Sequence, residues 1–256
     1  MKTFSKKLIP LIIFAVCCAL LVCQHHYATA RRASFEAERT RYMSDILRIT
    51  NGTMPVLWIS PEYSYISTAK YFDLSGNGNH ATQDTADYRP QVKPPGLDFD
   101  GLEDYLDITN NFFNYSNFTI LAWVKYDALT GDDYWQGCDA GQHAIGFNSD
   151  RVFVWGFHTQ SGKQGTTAVS SNTWYHIALV RDNTGTRVYL NANSTPELNW
   201  SDTGSLQIND FNIGRGTAAG GYEFDGLVDE VRIYNIALSA TQIQALYLAG
   251  LPKHRQ

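Results

Sequence analysis

The chain has 256 residues, 44% hydrophobic and 18% charged, enough for one sizeable core with appendages. Its net charge of −5 excludes bulk electrostatic attraction to nucleic acid or anionic lipid as the main mode of binding. Aromatic residues (15 Tyr, 13 Phe, 6 Trp) stand beside 20 glycines, a balance that favours strands and turns over helices.

Lys2, Lys6 and Lys7 precede an apolar run from Leu8 to Cys23, and Ala28 and Ala30 stand where a signal peptidase takes small residues. Residues 1–30 read as a secretory signal peptide, with an uncleaved membrane anchor as the alternative. The run is shorter than the roughly 20 apolar residues that span a bilayer. Either reading places the remainder outside the cell, secreted or at the cell surface, with membrane attachment only through this segment. Removing it leaves 17 basic against 25 acidic residues, and Cys138 as the one remaining cysteine, so no internal disulfide is available. Residues 31–54 are charged and rich in helix formers without a wide apolar stripe, which predicts a solvated helical or flexible stalk.

Residues 71–82, YFDLSGNGNHAT, set Asp73, Ser75, Asn77 and Asn79 at alternate positions with Gly76 and Gly78 between them. The glycines permit φ > 0 for a tight reversal, and the oxygens converge either on the loop's own backbone or on a hard cation. The stretch half-matches a helix–loop–helix calcium loop through Asp73, Ser75, Asn77, Gly78 and Asp84. Position 12 lacks the bidentate Glu, and the flanks AKYF and ADYRP do not read as helices.

Short strand patterns follow with turns between them: PVLWIS (55–60), LDFDG (97–101), YLDI (105–108), FTILAWVKY (118–126), HAIGF (143–147), RVFVWGF (151–157), WYHIALVRD (174–182), TRVYLNA (186–192), FNIGRG (211–216) and YEFDGLVDEVRIYN (222–235). Strands this numerous without intervening helices predict an all-β sandwich or barrel. FTILAWVKY alternates, with Phe118, Ile120, Ala122 and Val124 on one face. The pattern closes on a short helix with Ser239 as N-cap, a stripe of Ile243, Leu246 and Tyr247, and Gly250 as the stop. The domain therefore spans 55–250, with 251–256 as a tail.

DLSGNGNHAT, LDFDGLEDYLDI, FTILAWVK, WYHIALVRD with TRVYLN, and FDGLVDEVRIYNIALSATQIQALY, in that order, resemble the laminin-G-like, concanavalin A-like superfamily. The resemblance implies a two-sheet antiparallel jelly-roll sandwich with a short C-terminal helix. It also implies a role in carbohydrate recognition or adhesion, with glycans or glycoproteins, or other surface proteins, as partners, and often a structural calcium.

Strict alternation along 226–234 puts Asp229 on one face with Leu227, Val231 and Ile233, so its carboxylate needs a partner. Because the resemblance lays the glycine loop against this last strand, two closures are open. Asp73, Asn77 and Asp229 share one Ca²⁺, or Asp229 accepts loop N–H groups with no metal. A glycan-cleaving reading meets Glu223 and Asp225 on one face but finds Leu227 and Val228 where a further acid belongs. For sugar binding, Tyr134, Trp135, Trp200 and Tyr222 lie in loops or strand ends, each alternatively a plug for the end of the sandwich. The predicted function is a non-catalytic extracellular binding or adhesion module recognising glycan. A structural or protein-interaction module is the first alternative and a glycan-cleaving enzyme the second. Asn51, Asn114, Asn117, Asn193 and Asn199 head N-x-[ST] sequons, acceptor sites in a host that glycosylates secreted proteins.

Overall fold

The computed structural model describes residues 33–34, 36–61, 69–83, 85–109, 113–128, 131–138, 143–157, 162–201, 206–208, 210–217 and 222–255. The signal or anchor reading of residues 1–30 lies outside them. The chain divides into two compact units, Met1–Ile46 and Leu47–Gln256. A helix, α1, runs over residues 36–49, inside the span 31–54 where the sequence predicts one. In the first unit it is held by local polar contacts a turn apart. The Thr40 hydroxyl donates to the Glu36 carbonyl at 2.7 Å, and Arg39 pairs with Glu36 at 3.3 Å. Among the described residues no helix is long and apolar enough to cross a membrane.

The strands of the second unit, in chain order, are β1 Leu57–Ile59, β2 Lys70–Tyr71, β3 Ala81–Thr82, β4 Gln91–Lys93, β5 Gly96–Asp100, β6 Leu106–Ile108, β7 Phe113–Tyr115, β8 Phe118–Tyr126, β9 Asp132–Gly137, β10 His143–Asn148, β11 Arg151–Gly156, β12 Gly162–Ala168, β13 Tyr175–Asp182, β14 Gly185–Leu190, β15 Leu198–Trp200, β16 Leu206–Ile208, β17 Phe211–Ile213 and β18 Asp225–Tyr234. One eight-stranded antiparallel sheet runs β15-β14-β13-β8-β18-β5-β4, with β1 pairing the C-terminal half of β18. The second runs β12-β11-β10-β9-β17-β6-β3-β2, and β7 pairs β16 separately. Neighbours far apart in sequence, such as β8 and β18, make this the predicted two-sheet jelly roll, closed by a short helix, α2, at Ala240–Gly250.

Alternation builds the core. Phe118, Ile120, Ala122 and Val124 of β8 face Val152 and Val154 of β11, Phe211 and Ile213 of β17, and Trp135 of β9 across one apolar layer. Trp123, on the opposite face of β8, is buried as well, because α2 covers it. The Tyr247 ring stacks on Trp123 at 5.2 Å. Gly250 allows this approach, since a Cβ there would lie 2.4 Å from the Trp123 indole nitrogen. The predicted cap holds: Ser239 and Gln242 form a reciprocal capping box at the start of α2.

β18 departs from strict alternation. In register with β8, Asp229 faces Trp123 and Arg232 faces Leu121, so one extra residue is inserted between them, and Glu230 turns to φ +55. The bulge switches the parity of the strand. Val228, Val231 and Ile233 all reach the core, while Asp229 lies on the outer face of this sheet, with Trp123. The predicted grouping of Asp229 with Val231 and Ile233 is therefore corrected. An aromatic assignment changes too. Trp135 is the extra residue where the β9–β10 register shifts, and it is 0% exposed inside the core, with no ring face for a ligand. Trp135→Ala is expected to cost about 3–5 kcal/mol in denaturant unfolding; a loss below about 1 kcal/mol would contradict its core position.

Candidate functional site

Among the described residues, the outer face of the second sheet leaves large aromatic side chains exposed. Val152 and Val154 of β11 point inward, so Phe153 and Trp155 point out beside Tyr134 of β9. Gly216, Thr217 and Tyr222 close one side. With Asp132 these residues line a depression of about 290 Å³. Tyr222 is 49% exposed and Trp155 37%, whereas Tyr134 is buried beneath them. The Tyr134 ring lies 5.5 Å from Tyr222 and 6.0 Å from Phe153, both tilted. Burial, then the neighbouring Asp132 carboxylate, push the Tyr134 phenol up, so it stays a neutral hydroxyl. Asp132 itself accepts from Asn148. The result is an aromatic cradle with one carboxylate at its edge, the pairing of apolar face and polar rim that a sugar ring presents.

Two of the four predicted aromatics, Tyr134 and Tyr222, meet here. Trp135 is in the core, and Trp200 packs half-buried against the core from β15, an edge strand of the other sheet. Trp155 is not among the predicted aromatics, although in RVFVWGF inward valines at 152 and 154 imply that 155 faces out. The five sequon asparagines, Asn51, Asn114, Asn117, Asn193 and Asn199, are all exposed.

The predicted metal residues occupy a different place. Asp73 is buried and its carboxylate is filled by donors: the N–H groups of Trp58 and Ser75 at 2.9 Å, that of Asn79 at 3.0 Å and the Ser75 hydroxyl at 2.7 Å. Gly76 and Gly78 take the predicted left-handed conformations, at φ +86 and +80. Leu74 N–H donates to the Trp58 carbonyl, and the Asn79 amide donates to the Val56 carbonyl at 2.7 Å, so the loop caps the outer edge of β1. Its flanks are β2 and β3, not helices; Asp84 lies outside the described residues.

Asp229, 1% exposed, accepts from the Ser60 hydroxyl at 3.1 Å and the Glu230 N–H at 2.7 Å, and its other oxygen lies 3.0 Å from His254 Nε2. His254 Nδ1 sits 2.7 Å from the Gly250 carbonyl, and its ring is sandwiched on Trp123 at 4.3 Å. Burial pushes the Asp229 carboxyl up, against the lowering effect of the His254 hydrogen bond. Glu230, 0% exposed, accepts from the Trp58 indole at 3.0 Å and from Lys253 at 2.8 Å, and pairs with Arg232. Burial raises its carboxyl, but Arg232 and then Lys253 outweigh that and hold it at about 2. The predicted tail thus supplies two partners of the buried acids. His143 and His176 are buried and pushed down to about 3 by burial, so they are neutral core groups; His158 lies outside the described residues.

Asp73, Asn77 and Asp229 each have hydrogen-bond partners within the protein. Asp73 and Asp229 grip β1 and the residue after it through Trp58 and Ser60, and the exposed Asn77 turns its amide nitrogen towards Pro55 and Val56 carbonyls. Among the described residues no group of three or more His, Cys, Asp or Glu is placed to hold a metal ion.

A family model described as the concanavalin A-like lectin/glucanases superfamily matches residues 100–244. The chain belongs to this superfamily. The fold is similar to part of Trypanosoma rangeli sialidase, with TM-score 0.62 and 18% identity over 78% of this chain and 33% of that one. It is also similar to the botulinum neurotoxin type G receptor binding domain, with TM-score 0.57 and 15% identity over 77% of this chain and 51% of that one. The chain therefore spans about a third of the sialidase and half of the toxin domain, and these likenesses concern the fold. Among curated proteins none matches in sequence.

Glu230 sets a pH dependence. A carboxyl held at about 2 against an ordinary 4.5 contributes stability that is complete above pH 4.5 and lost as pH falls towards 2. The raised Asp229 acts in the opposite sense, losing its contribution as pH rises. Glu230→Gln is expected to flatten the acid limb of stability and, by leaving Arg232 and Lys253 unbalanced, to cost about 3–5 kcal/mol at pH 7. Denaturant unfolding at pH 7 and pH 3 measures both; neutral-pH stability equal to wild type would contradict the network.

Proposed function

We propose that this chain is a non-catalytic carbohydrate-binding module that works outside the cell, secreted or tethered through its N-terminal segment, with glycans or glycoproteins as partners. The observation that carries the reading is the aromatic depression on the second sheet, where Trp155 and Tyr222 offer exposed ring faces beside the Asp132 carboxylate. A sugar lays its apolar C–H face on such rings and directs its hydroxyls to the polar rim. Membership of a superfamily of lectins and glucanases, and the likeness of fold to a sialidase, support a carbohydrate partner in kind. Five exposed sequon asparagines suit a chain that passes through a glycosylating secretory route.

The non-catalytic part rests on the lining of that depression. Paired-carboxylate glycoside hydrolysis needs two acids across the bond, and among its described lining residues Asp132 is the one carboxylate. Glu223 and Asp225 are placed elsewhere. The backbone of Glu223 forms an isolated antiparallel bridge with that of Arg215, and Asp225 begins β18 beside Gly101, its carboxyl pushed up by burial and then by Asp127. This reading does not depend on calcium, and the Asp73 and Asp229 carboxylates have protein donors.

Trp155→Ala and Tyr222→Ala are each expected to weaken glycan binding about tenfold, with thermal unfolding little changed, as for side chains that lose one ring–sugar contact. Calorimetric titration against a glycan found by array screening measures this. Undiminished affinity in both variants would move the site elsewhere, and glycan hydrolysis that disappears in Glu223→Gln would replace binding with catalysis.

A further inference from the structure

The hollow of the aromatic depression follows from strand register. On the outer face of the second sheet, Ala144 of β10 lies opposite Trp155 of β11. Gly146 lies opposite Phe153 of β11 on one side and Tyr134 of β9 on the other. Two small residues between three large rings leave a trough with aromatic walls. A Cβ at position 146 would lie 2.8 Å from the Tyr134 ring, so the floor is kept low by glycine.

The same alternation brings three polar side chains onto this face. Asn148 of β10 pairs in register with Asp132, and Gln164 of β12 pairs with Phe153. The three are joined by hydrogen bonds that run in one direction. Gln164 Nε2 donates to Asn148 Oδ1 at 3.1 Å and to the Asn148 carbonyl at 3.1 Å. With its side-chain oxygen engaged in this way, Asn148 turns its amide nitrogen to Asp132 and donates to Oδ1. The Tyr134 hydroxyl donates to the same carboxylate. Burial, then the Asp132 charge, then this bond push the phenol up. Asp132 is thus held by Asn148 beside it and by Tyr134 below, at the edge of the exposed rings.

A carboxylate has about four acceptor positions, and among the described residues these two donors fill two of them. The capacity left over accepts and does not donate. Sugar hydroxyls supply the matching donors in charge-assisted hydrogen bonds, and two adjacent hydroxyls reach both oxygens of one carboxylate. An ether oxygen or an amide carbonyl at the same place only accepts, and meets an acceptor.

We infer that Asp132 is the specificity-determining group of the depression, that Asn148, Gln164 and Tyr134 are positioning residues that aim it, and that the ligand class is a saccharide with unsubstituted vicinal hydroxyls beside an apolar ring face. The inference rests on the reading of the depression as a glycan site and adds how that site distinguishes one saccharide from another.

The experiment uses the full chain on an array of oligosaccharides, each printed beside its O-methylated counterpart. Methylation keeps the rings and their C–H faces and removes the hydroxyl donors. Unmethylated forms are expected to bind about tenfold more tightly than methylated ones, as for the loss of one hydrogen bond to a charged group. Asp132→Asn is expected to shrink that ratio several-fold. Asn148→Ala and Gln164→Ala are expected to shrink it in part, and to add nothing further in combination with Asp132→Asn. Trp155→Ala weakens both forms alike and leaves the ratio in place, as would a change that only loosened the fold. Gln164 is exposed on β12, so its variant keeps the test decisive should Asn148→Ala fail to fold. Equal binding of methylated and unmethylated forms, or a ratio that either Asp132→Asn or Gln164→Ala leaves unchanged, would overturn the inference and leave the glycan reading standing. An array on which no glycan binds would overturn both.

Discussion

Two adjacent carboxylates, Asp229 and Glu230, are buried at a bulge in the longest strand of the molecule, and most of the chain's ends are arranged around them. A buried acid costs several kcal/mol unless charge and hydrogen bonds replace its water. Here the replacements come from remote parts of the sequence: Trp58 on β1, Ser60 just past it, Arg232 two residues along β18, and Lys253 and His254 after α2. The first strand, the last strand and the C-terminal tail are thereby fixed to one another. Because the bulge also reverses the parity of β18, it is the same feature that sends Val231 and Ile233 into the core.

The two outer faces of the sandwich then take different roles. On the first sheet the charged cluster and Trp123 are roofed by α2, with Tyr247 and His254 stacked on the indole, so that face is sealed. On the second sheet no helix among the described residues covers Trp155, and the segment after β17 borders it without burying it. A sealed face carries stability; an open aromatic face carries recognition. Substitutions at Trp135 and Trp155, two tryptophans on the same sheet, consequently act on different properties.

Much of the architecture was legible in local pattern. The alternation in FTILAWVKY assigns both faces of β8 correctly, the Ser239–Gln242 pair marks the start of α2, and Gly76 and Gly78 foretell a left-handed turn. The resemblance extends this to the family. The site was less legible, for physical reasons. A bulge inserts one residue without any compositional mark, and an error of one position exchanges core and surface for every residue beyond it. That is why Asp229 was grouped with the wrong neighbours and Trp135 was counted among ligand candidates. Lys253 and His254 follow the last helix, where composition suggests only a tail, and their burial depends on tertiary packing. The DLSGNG loop reads equally well as a cation cradle or an edge cap. In the fold the loop's own Ser75 and Asn79, joined by the Trp58 N–H of β1, donate to Asp73, an arrangement that depends on where β1 packs.

The claim on which the account depends is that the buried acids and the loop are neutralised by the chain's own donors. Thermal unfolding of the full chain in excess calcium and in excess chelator tests it most directly. Closure by Ser60, Lys253, His254 and the Trp58 N–H predicts the same melting temperature in both. A melting temperature that rises with calcium and falls with chelator would show that an ion, and not these side chains, closes the structure.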